Sequence, residues 1–74
     1  MNDAEVLAML EGRPSKPLRD LLNRLRLYAV YNNEVYLRSG EFDYLADQVA
    51  RETGGRLNLA EFHPYGLRIK RLRF

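Results

Sequence analysis

The stretch from Leu18 to Gly40 changes its hydrophobic period midway, and that change constrains the fold more than any other feature. In LRDLLNRLR, Leu18, Leu21, Leu22 and Leu25 recur at helical spacing on one face, while Arg19, Asp20, Asn23, Arg24 and Arg26 fall largely on the other. In LYAVYNNEVYLRSG the residues turn β-branched and aromatic, as pleated strands favour. Asn32-Asn33 divides this run as a two-residue hairpin turn does, and Asn tolerates the positive φ of such turns. That register pairs Tyr31 with Glu34, Val30 with Val35, Ala29 with Tyr36 and Tyr28 with Leu37. Tyr28, Val30, Val35 and Leu37 then face a core, and Leu27, Tyr31 and Tyr36 share the opposite face. A competing reading extends the helix through Tyr28 and Ala29; it ranks second because it leaves Asn32-Asn33 without a role.

Two further helices flank this region. NDAEVLAMLEG reads as a short helix with Asn2 as N-cap, Glu5 as its capping-box partner and Gly12 as the stop. Val6, Met9 and Leu10 form its apolar stripe, with Leu7 beside it. RPSKP follows, and its two prolines forbid a continuous helix. Ser15 is the cap of the leucine helix, with Pro17 in its first turn, where a missing N–H costs nothing. SGEFDYLADQVARETGG is the clearest helix, capped by Ser39 and ended by Gly54-Gly55, with Phe42, Leu45, Ala46, Val49 and Thr53 on one face and an Asp47–Arg51 pair on its surface.

The last segment reads as a second hairpin, RLNLAEF and LRIKRLRF around HPYG. Pro64 and Gly66 take the preferred positions of a type I turn. Phe62 opposite Leu67 places Ala60, Phe62, Leu67 and Ile69 on one face and Glu61 against Arg68. Leu72 and Phe74 break the parity set by Leu67 and Ile69. A β-bulge at Lys70-Arg71 restores it and turns Arg68, Arg71 and Arg73 outward; otherwise the strand ends near Lys70. The expected fold is a small α+β domain, α-α-ββ-α-ββ, with an antiparallel sheet of two hairpins covered by helices on one face. Residues 1–12 form a helix with freedom to move on a Pro-rich joint at 13–17, and 18–74 form the α+β domain.

A chain of 74 residues is one domain with a marginal core. It has no cysteine, hence no disulfide or thiolate metal site. Its longest apolar run, Val6–Leu10, is at most five residues, far below the ~20 that span a bilayer. The acidic N-terminus does not resemble a signal peptide, and the expected location is cytoplasmic. The net charge of +2 is blocked: residues 1–12 carry −3, 13–26 carry +4, 34–53 carry −3 and 56–74 carry +4. Alternating blocks suit electrostatic partners, unless they interleave in space and cancel.

No catalytic constellation is visible, so the chain is expected not to be an enzyme and to need no cofactor or small-molecule substrate. His63 is the sole histidine and sits at a turn; Ser15 and Ser39 are caps. Asp43, Asp47 and His63 have no spacing that forces them around a metal. Binding remains. The leading expectation is a protein partner, met by Leu27, Tyr31, Tyr36 and Arg38 on the open sheet face, with Leu7, Met9 and Leu10 of the first helix as a second surface. The alternative is nucleic acid, gripped by Arg56, Arg68, Lys70, Arg71 and Arg73 beside exposed aromatics, although the acidic third helix weighs against it. In size and class alone, the chain is similar to small phage-encoded regulators that bind host RNA polymerase or other host machinery. No motif ties it to a family.

Overall fold

A computed structural model of the chain describes residues 2–73. The first helix, α1, runs Asp3–Glu11. Asn2 caps it as expected: its Oδ1 accepts from Glu5 N at 2.9 Å, and its Nδ2 donates to Glu5 Oε1 at 3.2 Å. Val6 and Leu10 are fully buried, and α1 lies against the third helix and the second. The described part of this segment, residues 2–12, is therefore packed into the core rather than held off it as an arm.

The second helix, α2, runs Lys16–Ala29 with Ser15 as N-cap and Pro17 in its first turn. Here the second-ranked reading holds and the first hairpin is corrected. Continuing the leucine stripe brings Ala29 against the core beside Leu25, while Tyr28 and Val30, assigned to the core by the hairpin register, are exposed. Asn32 has a role after all. Its backbone N–H and its Nδ2 both donate to Tyr28 O, at 2.9 and 3.2 Å, closing the helix end. Asn33 O accepts from Arg68 N at 3.0 Å and opens the strand pairing.

Strand β1 is Glu34–Leu37 and strand β2 is Arg68–Arg71. They pair in parallel, Glu34 with Arg68 through Leu37 with Arg71, so the antiparallel sheet of two hairpins is not formed. Parallel strands need a crossover, and the third helix, α3, Ser39–Thr53, supplies it. It starts without a side-chain cap, so Ser39 opens the helix instead of capping it, and it ends at Gly54 in the left-handed conformation, φ 62°. The coarser expectation stands: the fold is α+β, three helices with a two-stranded sheet.

The second hairpin fails because its first arm is not a strand. Leu59–Glu61 is a 3₁₀ turn, which buries Leu59 and Phe62 at a spacing of three and leaves Ala60 exposed. The HPYG turn closes through Gly66 N to His63 O at 3.1 Å, but Tyr65 takes φ 56°, which a type I turn does not contain. Glu61 accepts from Asn58 instead of facing Arg68. The β1–β2 register is one-to-one with no bulge over residues 68–71, and Leu72 N continues it to Leu37 O at 2.7 Å. Arg71 consequently shares the face of buried Ile69, and Leu72 is half-buried on the other. Phe74, expected on the core face, lies outside the described residues.

Candidate functional site

Both periods turn aromatic residues outward at one place. In α2 the stripe Leu18, Leu21, Leu22, Leu25 and Ala29 faces inward, so Leu27, Tyr28, Val30 and Tyr31 at its end project away from the core. In β1, Val35 and Leu37 face inward and Tyr36 projects outward. Leu27 is 65%, Val30 68% and Tyr31 89% exposed. Tyr28 and Tyr36 line one groove of about 600 Å³ with Arg24, Leu37, Arg38, Glu41 and Leu72, which makes the helix end and the strand one continuous surface. A second groove of about 520 Å³ shares Tyr36 and Leu72 and adds Phe42, Ile69, Lys70, Arg71 and Arg73.

The charges around this surface are unevenly engaged. Arg24 pairs with Glu41, Arg71 pairs with Asp43 at 2.5 Å, and Glu34 and Arg68, partners in the register, approach to 3.8 Å. The Arg71 guanidinium also lies 4.7 Å from the centre of the Phe42 ring. Lys70 and Arg38 make no ion pair among the described residues. Glu34, as hydrogen-bond acceptor and as negative charge, pushes the Tyr36 phenol above its ordinary value.

The expected site residues separate into groups. Leu27 on α2, Tyr31 in the turn after it, Tyr36 on β1 and Arg38 just after β1 are all exposed. Leu10 is buried and Leu7 half-buried, while Met9 alone of that trio is exposed; no described α1 residue lines either groove. The cationic row does not form one surface. Arg68 and Lys70 lie on the open face, Arg71 turns toward α3, and Arg56 follows the far end of α3. Tyr28, Val30 and Leu72 were missed as surface residues. Continuing the leucine period through Ala29 is the signal that finds Tyr28 and Val30; only the unbulged register finds Leu72.

Among the described residues, no three metal-binding side chains cluster. Asp43 and Asp47 are engaged by Arg71 and Arg51, and His63 lies 3.8 Å from Asp3. No described helix is long and apolar enough to cross a membrane. Compared with protein-family models, curated proteins and solved structures, the chain has no significant match to any of them.

Proposed function

We propose that this chain is a small non-enzymatic protein that acts by binding the surface of a larger protein, through Leu27, Tyr28, Val30, Tyr31 and Tyr36. One observation carries the reading. Five of the six exposed large hydrophobic residues among those described fall within residues 27–36. Singly exposed hydrophobics are ordinary on any domain, but so many within ten residues of chain are a reason to place an interface there. Tyrosine suits the role, because it contributes large area at low entropic cost and keeps its hydroxyl for a polar partner. A domain of this size regulates by occupying a surface that its partner needs for something else, and a large assembly such as transcription machinery is the finer form of the proposal.

Nucleic acid is the second reading, favoured by one juxtaposition: Lys70 lies opposite Tyr36 in register, a cation beside a stacking platform. It is weaker because Arg68 and Arg71 project to opposite faces and each meets a carboxylate. A tagged pull-down from lysate, with and without nuclease, separates the two. The expected result is a stoichiometric protein that survives nuclease and is lost with the Leu27→Ala/Tyr31→Ala double variant, whose folding is checked by its melting temperature. Recovery of nucleic acid, with every co-purifying protein lost on nuclease treatment, overturns the protein reading.

A further inference from the structure

Resting on that reading, we infer that the partner segment is acidic: a peptide stretch with carboxylates beside apolar side chains, seated over Tyr36 with its carboxylates on Lys70 and Arg38. Strand parity places Glu34 and Tyr36 of β1 beside Arg68 and Lys70 of β2 on the face that the helices leave open. Its two ends differ in charge. At the beginning of the strands, Glu34 and Arg68 compensate each other at 3.8 Å. At their end, Tyr36 lies beside Lys70, with Arg38 two positions on, just past the end of β1, and neither cation has a carboxylate partner among the described residues.

The nearby carboxylates are already engaged. Glu41 is held by Arg24, and Asp43 is drawn by Arg71 to the opposite side of the sheet. This end of the face is therefore positive, over a floor of Tyr28, Tyr36 and half-buried Leu72. Exposed cations add little to affinity in water, but burial of the surrounding apolar surface lowers the local dielectric and strengthens each pair. A basic segment meets uncompensated like charge there, so the same residues reject as well as attract. A peptide fits better than a nucleic acid because the floor of this groove includes the aliphatic Leu72, which offers a base no stacking plane.

Fluorescence anisotropy on the full chain tests this with four labelled probes: a peptide alternating Glu and Leu, the same peptide with Lys for Glu, one alternating Glu and Ser, and single-stranded oligothymidylate. The Glu–Leu peptide is expected to bind more tightly than the other three and to weaken with salt. Lys70→Glu and Arg38→Glu should each weaken it about tenfold, and the double reversal should shift preference to the Lys–Leu peptide. Arg56→Glu, beyond the far end of α3, should change it by less than about twofold. Binding that ignores the charge reversals overturns the inference, as does a preference for the Lys–Leu or Glu–Ser peptide. Tighter binding of oligothymidylate through the same residues identifies nucleic acid as the ligand and overturns it too. If no peptide binds while a lysate protein is still captured through Leu27 and Tyr31, indifferent to Lys70→Glu, the acidic chemistry is wrong and the protein-binding reading stands.

Discussion

The Tyr65 hydroxyl donates to Glu11 Oε1 at 2.8 Å, joining the turn before β2 to the end of α1 across 54 positions of chain. Tyr65 holds φ 56°, a conformation that costs a side-chain-bearing residue roughly 1–2 kcal/mol. Its ring packs against the core and its hydroxyl is bonded, which offsets that strain. Burial, then the hydrogen bond and charge of Glu11, push the phenol up to about 12 from its ordinary 10.0, against a smaller opposing effect of Arg26. The folded state thus keeps a proton that the unfolded state releases. This contribution is complete below pH 10 and is lost as pH rises towards about 12. Melting temperatures across that range should fall less steeply for Tyr65→Phe than for the parent chain. At neutral pH the same variant should be destabilised by about 0.5–1.5 kcal/mol. Parallel alkaline slopes for the two proteins contradict the assignment.

Removing residues 1–12 should unfold the remainder. Val6 and Leu10 are fully buried, and α1 lies against α3 and α2. The joint is tied down as well, because Arg13 pairs with Glu52 on α3 and Ser15 Oγ lies 2.9 Å from the Tyr44 hydroxyl. Losing two buried aliphatic side chains removes about 3–6 kcal/mol, a large share of what so small a domain possesses. Circular dichroism of residues 13–74 checks this: a cooperative transition near that of the intact chain would show α1 to be dispensable.

Phe62 is the largest fully buried side chain, set at the centre by the 3₁₀ turn before it. Phe62→Ala should cost about 3–5 kcal/mol, whereas Ala60→Ser, exposed two positions earlier, should stay within about 0.5 kcal/mol. Urea titrations of the two variants measure the contrast. Equal losses would restore the strand assignment for this segment, in which Ala60 and Phe62 share a buried face.

Arg71 is engaged within the fold. Its guanidinium bridges the Phe42 ring and Asp43, each contact contributing about 0.5–1 kcal/mol at an exposed site. Arg71→Ala should therefore lower stability by about 1 kcal/mol, and a double-mutant cycle with Asp43→Ala should show coupling. Lys70→Ala, one residue earlier and unpaired among the described residues, should leave stability unchanged. Equal stability of the two variants would remove the distinction between structural and available cations.

The helices were legible because their signals are local. The Asn2 and Ser15 caps, Pro17, the leucine stripe and Gly54 each act within a few residues, and the structure uses each where the pattern puts it. The exposure of Leu27, Tyr31, Tyr36 and Arg38 was legible too, because these side chains point outward whether residues 27–31 form a helix or a strand. Gly12 was read correctly as the end of α1, yet it closes the helix without a left-handed turn, at φ −77°. The composition of LYAVY favours a strand, but continuing α2 buries Ala29 on a stripe already formed, and packing overrides propensity.

Tertiary structure alone decided the strand partners. Asn-Asn and His-Pro-Tyr-Gly are good local turn signals, yet Asn32 closes a helix instead of a hairpin and the His-Pro-Tyr-Gly turn does not join two strands. β1 meets β2 only across the whole of α3, a pairing that no short window of sequence records. Parity then follows from that pairing. The one-to-one register places Lys70 beside Tyr36 on the open face and carries Arg71 onto Phe42, so a row of cations that looks uniform in sequence is divided between the two faces of the sheet. Capping and periodicity are short-range, so they located the three helices and most of their ends, but not the end of α2 at Ala29 or the uncapped start of α3. Which residues share a surface was settled by long-range pairing, because only the parallel register sets Val35 beside Ile69 on the core face and Tyr36 beside Lys70 on the open one.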